Sequence, residues 1–139
     1  MALVGVLLVA ITLGLATAGP AQAPTRRVIE VTLSEFKIEP SQITFNEGDT
    51  VVIRLRNAGP RFPHTLASRY LVNIPLTVRG DARQGVDEDR KWVHVDVGKS
   101  GEFEFVAQGR GSAAFICSLF THAPAGMVGA FFIKPSGSQ

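Results

Sequence analysis

A single cysteine in 139 residues excludes an intrachain disulfide framework, a cysteine-rich zinc site and an iron–sulfur cluster held by four cysteines of one chain. Only three histidines are present. None falls in a His-x-His pair or a His-Glu-x-x-His run, so the ligands are too few for a multicopper cluster or a zincin site. Charge of one sign is also scarce: 14 Lys and Arg stand against 12 Asp and Glu, a formal net charge of +2. No dense basic surface is there to follow a phosphate backbone, which excludes nucleic acid as a partner. No internal repeat, low-complexity tract or amphipathic helix of convincing length is found. What remains, 45% hydrophobic with 14 glycines and 8 prolines, is the material of one compact domain.

Residues 1–23 (MALVGVLLVAITLGLATAGPAQA) carry no charged side chain, run apolar as far as residue 15, and then turn to small residues, proline and glycine. That is the pattern of a secretory signal peptide. Two small-x-small exits are visible, Ala16-Thr17-Ala18 and Ala21-Gln22-Ala23, and Pro24 after the second favours the first. The rival reading is an uncleaved anchor, because an apolar run of about 18 residues is at the lower limit for spanning a bilayer. No cysteine follows for lipid attachment and no twin-arginine pair precedes, which favours export unfolded and metal loading outside the cytoplasm. The expected organisation is therefore a signal peptide or anchor over 1–23 and one domain over 24–139. The expected location is periplasmic or otherwise extracytoplasmic, with membrane attachment only through an uncleaved N-terminus.

From Arg27 onward short segments alternate with period two, as half-buried strands do. Ile29, Val31 and Leu33 share one face. So do Val51, Ile53 and Leu55 against Val52, Arg54 and Arg56, Val93, Val95 and Val97 against Trp92, His94 and Asp96, and Phe103 and Phe105 against Glu102 and Glu104. Between them lie turn-forming runs such as Asn46-Glu47-Gly48-Asp49 and Gly98-Lys99-Ser100-Gly101. Strands returning about every ten residues predict an all-β sandwich or barrel around one core. Residues 68–91 break the rhythm and gather Asp81, Arg83, Asp87, Glu88, Asp89, Arg90 and Lys91. They read as a long solvated connection, with a partner-docking surface as the functional alternative.

The chemistry concentrates near the C-terminus. Cys117, His122 and Met127 fall five residues apart, between an apolar strand ending at Cys117 and another beginning at Val128, so the intervening loop can curl around one ion. Far upstream, Phe62-Pro63-His64-Thr65 follows a strand and a Gly-Pro turn and offers a second imidazole. One thiolate, two imidazoles and one thioether suit copper better than zinc. The soft sulfurs favour Cu(I) while the imidazoles also suit Cu(II), and a catalytic zinc would keep an open position for water.

These segments resemble the cupredoxins, the small blue copper proteins. NAGPRFPHT is similar to the first-histidine loop of plastocyanin and HAPAGMVG to its second-histidine and methionine loop. The Cys-x4-His-x4-Met spacing is closer to that of rusticyanin, sulfocyanin and auracyanin. The resemblance runs from Arg27 to Lys134 and implies a Greek-key β-sandwich in which one copper ion is held by His64, Cys117, His122 and Met127. It further implies a carrier of single electrons between redox protein partners rather than an enzyme, with a surface port at His122 framed by Leu119, Phe120, Ala123, Pro124 and Ala125. Many members carry Asn after the first histidine; here that residue is Thr65. The alternative reading is a copper chaperone or store that does not cycle the ion, though only Met1 and Met127 supply thioethers.

Elsewhere the residues read as structural. His94 lies mid-strand with no second ligand near it in sequence. Trp92 and Tyr70 read as packing or edge residues. Phe103, Phe105, Phe115, Phe131 and Phe132 are expected to fill the sandwich core.

Overall fold

The computed structural model describes residues 23–138, so the expectation for residues 1–23 lies outside the described residues except at residue 23. Eleven strands form two sheets: β1 (Arg26–Ser34), β2 (Lys37–Glu39), β3 (Gln42–Asn46), β4 (Thr50–Asn57), β5 (His64–Ser68), β6 (Thr77–Gly80), β7 (Ala82–Asp87), β8 (Arg90–Val95), β9 (Ser100–Val106), β10 (Gly111–Ile116) and β11 (Val128–Lys134). One sheet has the order β2-β1-β4-β9-β6 and the other β3-β11-β10-β5-β8-β7. The pairs β1–β4 and β3–β11 are parallel and the other pairs antiparallel. This is the expected β-sandwich.

Alternation builds the core. Val31 and Leu33 of β1, Val51, Ile53 and Leu55 of β4, and Phe103 and Phe105 of β9 turn inward to meet Phe45, Phe115, Phe131 and Ile133 of the facing sheet. Phe131 sits at the centre of an aromatic cluster, with ring centroids 4.8 Å from Phe115, 5.6 Å from Phe45 and 5.9 Å from Tyr70. Two expectations are corrected. Phe132 is exposed, because the strand period that buries Phe131 and Ile133 sends it outward. Val97 is exposed as well, since β8 ends at Val95 and Val97 belongs to the following turn.

Residues 68–91 are not an irregular connection. They hold a single turn of 3-10 helix (Arg69–Leu71), strand β6 on one sheet, and β7, which pairs with β8 from Ala82↔Val95 to Asp87↔Arg90. β7 is an edge strand wet on much of both faces, so it carries no alternating pattern to read. Gly85 lies where any Cβ would come within 2.3 Å of the Trp92 ring, which lets that indole lie across the strand.

The outer face of the first sheet is an ion-pair ladder, with Arg54 between Glu30 and Glu102, and Arg79 between Glu102 and Glu104. Exposed pairs of this kind contribute little each, and the ladder chiefly keeps the face wet.

Asp49 closes one pole of the sandwich. Its nearly buried carboxylate accepts the backbone N–H of Asn46 and of Thr25, the Thr25 hydroxyl and the Arg27 guanidinium. Burial alone would raise its pKa, but these donors outweigh it and hold the group down to about 2. A carboxyl depressed in the folded state stabilises above the unfolded value of 3.8, and that contribution is lost as pH falls toward 2. Asp49→Ala is expected to cost about 2–3 kcal/mol at pH 7. In urea titrations of metal-free protein, the gap between variant and wild type should close as the pH drops through that window.

Candidate metal centre

The opposite pole carries the candidate ligands. β1 and β4 run side by side from Arg26↔Thr50 to Leu33↔Asn57, so the chain leaves β4 about 25–30 Å from Asp49 and enters the loop that leads to His64. That loop is irregular and fastened by Asn57, whose side-chain amide donates to the carbonyls of Phe62 (2.9 Å) and Val95 (3.2 Å) and accepts the Gly59 N–H (2.9 Å). β5 then begins at His64, every residue of it buried, between β8 and β10.

The second loop is closed by the β10–β11 hairpin. Ile116 faces Val128, which brings Cys117 and Met127 side by side, with the Cys117 N–H donating to the Met127 carbonyl at 3.0 Å. The Met127 N–H in turn donates to the His122 carbonyl at 3.0 Å. Turn bonds from His122 to Leu119 and from Gly126 to Ala123 coil the segment between, and Phe120 (φ 48°) and Gly126 (φ 112°) supply its left-handed bends.

The structure brings His64, Cys117 and His122 together. Cys117 Sγ lies 3.3 Å from His122 Nδ1 and 3.9 Å from His64 Nδ1, and one donor atom from each residue falls within 4.8 Å of the others. All three side chains are buried, and Met127 is buried with its backbone joined to both Cys117 and His122. Donors about 2.0–2.3 Å from a common ion in a trigonal plane stand about 3.5 Å apart, so the separations suit one metal. The donor chemistry fits equally well. Burial first, and the neighbouring His122 second, push the His64 pKa down, which leaves its imidazole neutral with a lone pair to give. Its far nitrogen, Nε2, is buried with no hydrogen-bond partner. A metal taking the Nδ1 lone pair would place the ring proton there.

Thr65, the residue after His64, touches the second loop. Its backbone N–H points at Cys117 Sγ (3.4 Å), and its hydroxyl accepts the Ser118 N–H (2.8 Å) and lies 3.0 Å from Ser118 Oγ. Both ligand loops are therefore joined through one residue.

Over His122 stands a collar of aromatic rings. Phe36, Phe62 and Phe120 have centroids 5.2, 5.4 and 5.8 Å from the imidazole. Phe120 is 81% exposed, whereas Leu119 turns partly into the core. Of the three, the sequence places only Phe120 in this patch; Phe62 comes from the first-histidine loop, and Phe36 arrives from the β1–β2 turn with no local motif to announce it. His94 stays apart from the centre, as expected, with its Nε2 between Arg83 (2.8 Å) and Asp96 (2.9 Å).

Neither a protein-family model nor a curated protein sequence matches the chain. Solved structures do match in fold. The reduced auracyanin of Roseiflexus castenholzii aligns with a TM-score of 0.61 at 16% identity, over 78% of this chain and 97% of that one. Auracyanin A of Chloroflexus aurantiacus, described as a "blue" copper protein, gives 0.60 at 17%, over 78% and 99%. A multicopper oxidase of Campylobacter jejuni gives 0.60 at 12%, over 91% of this chain but 33% of that one. At these identities the likeness establishes the fold, a cupredoxin-like β-sandwich.

Proposed function

We propose that the protein carries single electrons between redox protein partners by means of one type 1 copper ion, held by His64, Cys117, His122 and Met127. The observation that carries this reading is the buried convergence of one thiol and two imidazole nitrogens within 4.8 Å on a cupredoxin-like sandwich. When bound, copper supplies a one-electron couple acceptable to this mixed sulfur and nitrogen donor set.

The chain's own residues hold the ligands nearly still. β5 and the β10–β11 hairpin deliver His64 and Cys117 from rigid strands. Donation from the Thr65 N–H draws charge from the Cys117 sulfur, a contact of the kind that tunes reduction potential. Buried apolar neighbours keep water from the donors. The Phe36, Phe62 and Phe120 collar gives a redox partner a small apolar face beside His122, suited to the weak, brief contacts of electron carriers. Loading outside the cytoplasm fits the apolar, uncharged sequence of residues 1–23. Among the described residues no helix is long and apolar enough to cross a membrane.

The test is the visible spectrum of protein given one equivalent of Cu(II). An intense thiolate-to-copper band that bleaches with a mild reductant and returns on reoxidation is expected; a folded protein without that band refutes the reading. A band that does not cycle would instead indicate copper storage. His122→Gly is expected to slow electron exchange with small-protein redox partners while leaving the fold, as measured by stopped-flow absorbance and circular dichroism. Unchanged rates would rule out the His122 face as the port.

A further inference from the structure

The two imidazoles of the candidate centre are held unequally. His64 opens β5 opposite Val95, but residues 58–63 leading into it form no ladder, and His122 lies in the middle of a loop. The spacing of these two loops depends on contacts outside the ladders.

The β1–β2 hairpin reaches both. Its two-residue tip, Glu35-Phe36, lies between the paired residues Ser34 and Lys37. Tight tips of this kind need left-handed backbone, which glycine or asparagine usually supplies. Here Phe36 adopts it, at φ 64°. An aromatic residue holds that conformation only where its surroundings over-determine it.

The tip residues reach both ligand loops, Glu35 the first and Phe36 both. Glu35 Oε1 accepts the N–H groups of Arg61 (3.0 Å) and Phe62 (3.3 Å), just before His64. The same carboxylate lies so close to Gly59 that a Cβ there would stand 2.6 Å from Oε1 and 2.9 Å from Oε2. The loop thus wraps the carboxylate with glycine at the point of contact. Asn57 holds the Phe62 carbonyl while Glu35 holds its N–H, so this peptide stretch is gripped on both sides. Phe36 reaches across to the second loop while its ring also lies 6.5 Å from that of Phe62. Its ring stands edge-on to the His122 imidazole at 5.2 Å and 73°, and its carbonyl oxygen lies 3.7 Å from where a Cβ on Gly126 would be.

We propose that Glu35 and Phe36 form a strut between the two ligand loops, with Glu35 a positioning residue that fixes the His64 imidazole relative to His122 at the metal centre. The inference rests on the copper reading above. A site that serves both oxidation states must keep its imidazoles from relaxing toward the geometry either state prefers, and supporting residues beyond the ligands do this. Both loop bonds converge on a single carboxylate oxygen, so a glutamine carbonyl can accept both and an alanine neither.

The experiment compares wild type, Glu35→Ala, Glu35→Gln and Phe36→Leu. Each is loaded with Cu(II), its visible and electron paramagnetic resonance spectra are recorded, and the rate of copper loss to a chelator is measured. Glu35→Ala is expected to shift the thiolate-to-copper bands and the copper hyperfine splitting, and to release metal about 10-fold faster. Glu35→Gln should keep the wild-type values, and Phe36→Leu, which removes a ring from beside both His122 and Phe62, should shift the spectra. Wild-type spectra and retention in Glu35→Ala would overturn the strut, as would Glu35→Gln behaving like Glu35→Ala. Should Glu35→Ala fail to fold, Phe36→Leu decides alone, and an unchanged spectrum there overturns the proposal. Absence of the band in wild type itself would count against the copper reading, a separate failure.

Discussion

Cys117→Ala is expected to fold, to stay colourless with Cu(II), and to retain far less metal than wild type. The thiol is buried, and among the described residues the Thr65 N–H and hydroxyl and the two imidazoles are the hydrogen-bonding partners of its sulfur. Its removal takes away the one ligand that combines softness with negative charge. Losing a residue that merely supports a ligand costs about 10–100-fold in metal affinity, and losing this ligand should cost more. The fold should pay little. Deleting one sulfur opens a small space at the end of β10, and the Cys117 N–H bond to the Met127 carbonyl is a backbone bond that survives, so about 1 kcal/mol is expected. Metal content and visible absorbance measure the first effect, and urea unfolding of metal-free protein the second. A variant that binds copper with a wild-type band would end the case for Cys117 as the thiolate ligand. A variant that does not fold would show that its role is core packing.

The largest effect on stability should come from the other side of the core. Phe131 is wholly buried and meets Phe45, Phe115 and Tyr70 from one point on β11. Phe45 and Phe115 are themselves fixed by strand pairing and cannot collapse into the space that truncation leaves. Phe131→Ala should therefore cost about 3–5 kcal/mol, toward the upper end for a core substitution. The neighbouring Phe132→Ala, on the exposed face, should cost well under half as much. Comparing the two by urea unfolding checks the register of β11, because a slip of one residue would reverse their order.

Much of the sandwich is legible in the chain because most core strands are wet on one face. Val31 and Leu33 on β1, or Phe103 and Phe105 on β9, alternate with polar residues and so declare which side is buried. Val52 does not follow this rule. It occupies the face assigned to Arg54 and Arg56, yet it is fully buried, so local alternation misplaces it. β7 is the reverse case: a partner strand, β8, holds it by backbone bonds, and backbone pairing leaves no trace in side-chain pattern. At the centre, the spacing of Cys117, His122 and Met127 marks one loop, and the Phe62-Pro63-His64 run marks the other. Their meeting over 53 residues of sequence, and the arrival of Glu35 and Phe36 from a third place, are properties of the strand order alone. The grip of Thr65 on Ser118 is likewise invisible until β5 and β10 are neighbours.

The clasp around Asp49 has a practical consequence for attaching the protein to something else. Thr25 is tied there by Asp49, Ser136 by the Glu47 carbonyl and Ser138 by the Asn46 side chain, so both ends of the described chain emerge at one pole. The aromatic collar over His122 occupies the other. A tag, a surface linker or a fused domain joined at either end would point the collar outward, like a lamp on a post. Immobilising the protein on an electrode through either described end would then hold His122 away from the electrode, and under the proposed electron-carrier reading an attachment near Phe120 would bring it close instead.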